Sequence, residues 1–365
     1  MNGRIPGEPD EAADDLEHGR HRRHTLLWVG GLGIALIMTL PLAIALGPVR
    51  VPPGTVVDVV THHLLGTPRT PYWTGAVDSI VWQVRVPRVL LGAIVGAGLA
   101  LTGAALQAMV RNVLADPYIL GVTAGASTGA AAYILFGFGV GAVFGIGSLT
   151  LSAFIGAVAA TWALFLLARV GGQITSVRLL LAGVSIGYVL SAATSFLIFA
   201  SSAAEGARDV LFWLLGSLGL ASWEATLPAA IVVGSVLFLL ILWGRRFDAL
   251  AIGDDTARAL GVSPVRFRVQ ALVVVSLCVG GVVAVAGGIG FVGLVIPHVA
   301  RLCVGSAHRR LYPVAALIGA SFLVWADVAA RTVLAPRELP LGIVTAAVGA
   351  PLLFVLVRRF HPLSR

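Results

Sequence analysis

The sequence offers few groups that could make or break a bond. All 25 basic residues are arginine. Without lysine there can be no G-x-x-x-x-G-K-[ST] loop, so the chain carries no Walker-type phosphate cradle of its own. It also lacks an HExxH helix, a serine nucleophile elbow, and any group of His, Cys, Asp or Glu at metal-ligand spacing. An intramembrane enzyme is therefore disfavoured. What the polar residues can do is pair backbone, cap helices and meet partners, and four stretches have the residue types for it.

The first is residues 287–301, GGIGFVGLVIPHVAR, with Gly287, Gly288, Gly290 and Gly293 ahead of Pro297, His298 and Arg301. In a water-exposed helix each glycine costs about 1 kcal/mol relative to alanine. Between packed membrane helices, small residues admit close backbone approach, and neighbouring segments can pair the freed backbone groups. The apolar run 289–303 is shorter than the ~20 residues of a usual span. A short, glycine-interrupted segment among full-length ones marks a translocation pathway; a tight helical hairpin with no transport role fits the same residues. His298 stands alone and reads as a helix-end hydrogen-bonder rather than a ligand.

The second stretch, residues 107–127, reads QAMVRNVLADPYILGVTAGAS. Arg111, Asn112 and Asp116 interrupt its apolar pattern. Asp116 before Pro117 predicts an N-cap and a helix start, with a proton-relay carboxylate as the alternative. Gly121 and Gly125 follow at small-xxx-small spacing. The third stretch is the loop 244–268. There Asp254 or Asp255 is expected to cap a short helix over 256–260 (Thr256, Ala257, Arg258, Leu260), with Gly261 as its stop and Pro264 enforcing the break. A second short helix is expected over 247–252. Leu250 and Leu260, not needed by the bilayer, point to docking on a soluble partner; packing against the chain's own bundle is the alternative. The fourth is an arginine set, Arg85 and Arg88 in VWQVRVPR and Arg331 one turn after Asp327. These suit either snorkelling and a local Asp327–Arg331 pair or reception of an external partner's carboxylates.

The elements that must position these residues follow from composition. At 58% hydrophobic and 12% charged, with mean hydropathy +0.95, the chain is no ordinary soluble domain. Its net charge of +8 would suit nucleic acid only on a clustered basic face. Here the arginines punctuate apolar segments, so no nucleic-acid partner is expected. Cys278 and Cys303 lie in apolar segments, where free thiols behave as small hydrophobes. Residues 1–24 read as a disordered tail. The apolar run 26–46 is too long for a signal h-region, despite a cleavage-like Ala43-Ile44-Ala45, and becomes the first span. A short helix is expected near 55–65. Apolar segments then recur at 88–110, 118–137, 146–168, 179–200, 226–243, 269–286, 289–303, 313–331 and 341–357. The total is ten spans within 25–360, an all-α polytopic membrane protein of about ten transmembrane helices. Arginine placement puts both termini in the cytoplasm of a cytoplasmic-membrane protein.

Read in order, a series of strings gives the chain a family resemblance. They are VRVPR (84–88), GAALQ (103–107), RNVLADPYILG (111–121), RLLLAGV (178–184), ARALGV (257–262), GGIGFVGLVIPHVARL (287–302), ADVAAR (326–331) and ELPLGIVTAAVGAP (338–351). Over 80–356 the chain resembles the permease subunit of binding-protein-dependent ABC importers for iron–siderophores, haem and vitamin B12, the FecCD family. Val113 departs from that pattern, since the family usually has proline there; a looser turn before Asp116 is expected.

The resemblance implies an ABC importer type II permease fold that pairs with a second permease, identical or paralogous. It also implies two cytoplasmic ATPase subunits that bind ATP–Mg, no cofactor on this chain, and an extracytoplasmic solute-binding protein. Arg85, Arg88 and Arg331 match arginines that receive the binding protein's glutamates. Leu250, Asp254, Thr256, Ala257, Arg258, Leu260 and Gly261 match the ATPase contact, and Thr175 and Ser176 match a cytoplasmic gate. A ferric siderophore is the expected cargo, with vitamin B12 or haem as alternatives. The rival of another class is an ion-coupled secondary transporter, which would need ionisable residues deep in the bundle. Asp116 and Asp327 are its only candidates.

Overall fold

The computed structural model describes residues 11–137, 148–169 and 175–360. Inside a bilayer a segment must pair its own backbone groups, and each apolar run accordingly folds as helix. The spans are α1 (Glu11–Ala45), α3 (Gly75–Val110), α4 (Val122–Phe136), α5 (Ser148–Ala168), α6 (Ser176–Ala200), α8 (Trp223–Ile252), α10 (Pro264–Ala286), α11 (Val292–Val304), α12 (His308–Thr332) and α13 (Leu341–Phe360). Among the described residues, three short α-helices lie between them, α2 (Pro53–Leu65), α7 (Ala204–Leu214) and α9 (Asp254–Ala259), with a 3-10 turn at Pro117–Leu120. Among the described residues, seven spans are long and apolar enough to cross a membrane, while α4, α11 and the apolar part of α13 are shorter. The ten apolar segments of the sequence all appear.

Helix ends differ from expectation in four places. The described part of α1 begins at Glu11, inside the stretch expected to be irregular. The helix bearing Arg85 and Arg88 begins at Gly75 rather than near residue 88. Its entry is widened: the Val86 N–H bonds back five residues to Val81, next to Pro87, which has no N–H to offer. Residues 247–252 form no separate helix, because α8 runs unbroken to Ile252 and stops only at Gly253. Helix α7 was not foreseen.

The bundle is built around α3, which packs against α8, α10, α11 and α12; its Leu91, Leu99, Leu101, Leu106 and Met109 are fully buried. Water does not drive helices together inside lipid, so close backbone approach has to supply the contact. Glycines provide it in pairs. A Cβ on Gly96 would lie 2.2 Å from the Gly319 carbonyl oxygen of α12, and one on Gly125 would lie 2.3 Å from that of Gly156 on α5.

Candidate functional site

Between α10 and α11 the backbone leaves helical geometry inside the bundle. Gly287 has φ 68° and Phe291 φ 70°. The first conformation suits glycine; the second is uncommon for a bulky side chain. At 13 residues, α11 is only about 20 Å long, so its N-terminal end lies at depth. There a Cβ on Gly293 would meet Leu99 of α3 and the Pro117 ring.

Irregular backbone at such depth survives only if the protein pairs it. The Tyr118 hydroxyl accepts from the Ile289 N–H (2.6 Å) and donates to the Ile289 carbonyl (2.7 Å). Pro297 cannot donate to Gly293, four residues earlier, and Gln107 Nε2 supplies donors to the Gly293 and Leu294 carbonyls at 3.4 and 3.2 Å. At the other end, Ser217 N–H donates to Ala286, while Leu341 and Gly342 N–H donate to Gly216 and Leu215. The ends of α7 and α10 thus meet the start of α13. Gly287 is required there, since a Cβ would fall 2.2 Å from the Trp213 carbonyl oxygen. Gly288 faces the Leu214 carbonyl oxygen at 2.9 Å, whereas a Cβ on Gly290 would meet nothing within 4 Å. His298 is half-buried on α11. Tyr118, Gln107 and Phe291 were not singled out from the sequence.

Asp116 takes the capping role. Its Oδ1 accepts from the Tyr118 N–H at 2.8 Å, and burial pushes its carboxyl above the usual range. The turn before it is not loose despite Val113. Arg111 adopts φ 56°, and Asn112 Oδ1 accepts from the Leu114 N–H at 2.9 Å, closing the turn that proline would otherwise stiffen.

Arg85, Arg88 and Arg331 converge at the opposite end of the bundle, and all three are buried. The last carbonyls of a helix have no partner within it, and α1 has no basic residue in its last turn. Arginines from two other helices cap them. Arg85 donates to Ile44 and Ala45 at 3.0 and 3.1 Å, and to Val49; Arg331 donates to Ala43 and Leu46 at 3.2 and 3.1 Å. Asp327 pairs with Arg88 at 3.0 Å and with Arg331 at 2.9 Å. Arg88 also holds Glu338 through two parallel bonds of 2.9 and 2.8 Å. The Glu338 side chain is 41% exposed, so this pair is where the network reaches the surface.

At the α8–α9 loop, Gly253 rather than Asp254 or Asp255 occupies the cap position. Asp254 instead grips the buried Arg268 through bonds of 2.6 and 2.8 Å, and this holds its carboxyl below the usual carboxylate range. Leu250 and Ala257 are fully buried, so Leu250 is core and not surface; α8's continuation turns it toward Phe247 and Phe267 in the same core. Ile252 takes the exposed place (71%), alongside Leu260 (64%). Thr256 is half-buried, Arg258 is exposed and pairs with Asp255 at 2.6 Å, and Gly261 has φ 77°. Exposed Thr175 caps α6, accepting from the Arg178 N–H at 3.4 Å. The Ser176 side chain and residues 170–174 lie outside the described residues.

The family model described as the FecCD transport family matches residues 35–359. The vitamin B12 import system permease protein BtuC of Klebsiella pneumoniae is 37% identical over 345 residues, covering 94% of this chain and 96% of that one. The hemin transport system permease protein HmuU of Yersinia pestis is 37% identical over 292 residues, covering 79% and 86%. A solved metal-chelate type ABC transporter in an inward-facing conformation superposes with TM-score 0.78 at 31% identity, covering 91% of this chain and 98% of its own. With this breadth of agreement, the chain belongs to the FecCD transport family and is a multi-pass permease of an ABC importer.

Proposed function

We propose that this permease moves a metal chelate into the cytoplasm, a ferric siderophore first among the candidates. It takes the cargo from an extracytoplasmic binding protein and is driven by two ATPase subunits docked under the 244–268 loop. The observation that carries this reading is the match over residues 35–359. Relatives named for vitamin B12 and hemin import support it, because both cargoes are metal-centred macrocycles. In this reading the metal travels inside its ligand, and the chain needs no ligating cluster. The second permease completes the pathway, Thr175 and Ser176 gate it at the cytoplasmic end, and the termini face the cytoplasm.

The two carboxylates that an ion-coupled mechanism would draw on are already engaged, Asp116 as a cap and Asp327 between two arginines. Vitamin B12 and haem remain the alternative cargoes. Uptake of labelled ferric siderophore, haem and cobalamin by cells with and without the gene tests the reading. Siderophore uptake lost on deletion and restored by the gene is expected. Loss of only haem or cobalamin uptake changes the cargo, and uptake that persists without ATP while a proton gradient is held overturns the mechanism.

Docking of the binding protein is assigned to the face bearing Arg88 and Glu338, where a partner's carboxylate would have to replace Glu338. Glu338→Gln weakens that competitor while keeping its shape. A half-exposed pair of this kind contributes up to about 1 kcal/mol, so affinity for the binding protein is expected to rise about twofold to fivefold. Unchanged affinity by surface plasmon resonance removes Arg88 from the docking surface.

A further inference from the structure

The inner ends of α3, α8, α11 and α12 enclose a cleft of about 500 Å³. Arg111 and Arg301 line it, Val113 and Ile252 flank it, and Asp248 and His308 form one wall. One donor stands out. Arg85, Arg88, Arg268 and Arg331 each place their guanidinium on carbonyls or carboxylates of this chain. Arg301 Nη1 is buried and meets no hydrogen-bond acceptor among the described residues. A buried guanidinium donor left so is rare and asks for an acceptor.

The neighbouring acid does not provide one. Asp248 Oδ1 is engaged by the His308 backbone N–H at 2.9 Å and by the His308 ring Nδ1 at 2.6 Å. The second cation, Arg111, is exposed and lies along the coupling loop: a Cβ on Gly253 would be 3.7 Å from its Nη1. The cleft therefore joins Arg301, with a buried donor that no acceptor among the described residues meets, to Arg111, whose neighbouring acid Asp254 is already gripped by Arg268, directly beside the loop assigned to the ATPase.

Its depth chooses the occupant. Exposed Arg245 and Arg246 on α8 mark the headgroup level. Ile252 lies six residues further along the same helix, about 9 Å beyond them. Acyl chains do not reach that far, yet Ile252 and Val113 are 71% and 52% exposed. An apolar lip over a cationic floor, standing clear of the bilayer, fits a soluble protein that presents an acidic side chain among apolar ones. We propose that this cleft receives an aspartate or glutamate of the partner ATPase, held by Arg301 and Arg111. The proposal rests on the reading of the 244–268 loop as the ATPase contact.

The test uses the complete importer in lipid nanodiscs, comparing wild type with Arg111→Gln, Arg301→Gln and the double variant. The double variant is expected to hold the ATPase subunit at least tenfold more weakly while its melting temperature stays near that of wild type, and Arg301→Lys is expected to recover part of the loss. A photo-crosslinker in place of Ile252 is expected to capture an acid-bearing segment of the ATPase. Neutralising that acid should add nothing to the double variant, as a shared contact requires. Arg111 is exposed, so Arg111→Gln keeps the test open even if Arg301→Gln folds poorly. Unchanged ATPase retention in both single variants overturns the proposal and leaves the coupling reading standing. Retained ATPase with fewer bound phospholipids by native mass spectrometry also overturns it, because the site would then hold a lipid headgroup. Wild-type permease that retains no ATPase removes the coupling reading itself, and the proposal with it.

Discussion

Asp327→Asn is expected to destabilise the end of the permease that holds Arg85, Arg88 and Arg331 more than any other single charge change. Asp327 is 1% exposed and lies between Arg88 and Arg331 at 3.0 and 2.9 Å. Neutralising it leaves two buried guanidinium groups facing each other, with Glu338 the remaining acid. Breaking a buried pair from one side costs about 3–5 kcal/mol, a large share of the roughly 5–15 kcal/mol that separates folded from unfolded domains. Arg331 also caps α1, so the loss is expected to spread to the first span. A fall of many degrees in melting temperature in detergent is the expected reading. Asp327→Asn combined with Arg331→Gln is expected to melt above Asp327→Asn alone, since Arg88 then keeps Glu338 without a second buried cation beside it. If Asp327→Asn melts with wild type, the network is not what holds this end together.

The second large effect is expected at Gly103. A Cβ there would lie 1.8 Å from the Gly293 carbonyl oxygen and 2.6 Å from its Cα. Overpacking usually costs about 1–3 kcal/mol because side chains can rearrange. Here the obstructing atoms are backbone, and Pro117 and Leu99 already crowd Gly293. Gly103→Ala must push α11 away from α3, break the Gln107 contacts and move the 287–291 segment. Uptake is expected to vanish even where some protein still reaches the membrane. Gly290→Ala is the matched control: nothing lies within 4 Å of its Cβ, and uptake near wild type is expected. Equal behaviour of the two variants would mean that close packing at Gly103 is dispensable.

The ten spans were legible because a bilayer demands long apolar runs, and little else in a sequence makes them. Where helices stop was less legible. Gly244 looked like a boundary, but the helix passes through it, and the glycine instead makes room for Arg309, whose Cγ lies 2.4 Å from where its Cβ would be. The break comes at Gly253. Leu250 was misplaced for the same reason, since a helix running nine residues beyond 243, to Ile252, presents a different face to the core. The arginines were legible as a set but not as buried groups, because what buries them is remote in sequence. Arg88 and Asp327 are 239 residues apart, and Arg331 reaches back 288 to Ala43. Of the two readings open for Arg331, the local pair with Asp327 is present at 2.9 Å. Tyr118 was least visible, an aromatic in an apolar run whose hydroxyl partner lies 171 residues away.

That hydroxyl carries a mechanical consequence. Because Tyr118 engages both backbone groups of Ile289, and Pro117 presses on Gly293, residues 117–120 and the start of α11 form one strut. Its near end is the turn after Arg111, which borders the 244–268 loop at Gly253. If the 244–268 loop is the ATPase contact, as proposed, a tug on that turn is expected to reach the middle of the bundle through this strut. The stiff unit is then drawn by hydrogen bonds across three segments, and a map of helix boundaries would divide it in the wrong place.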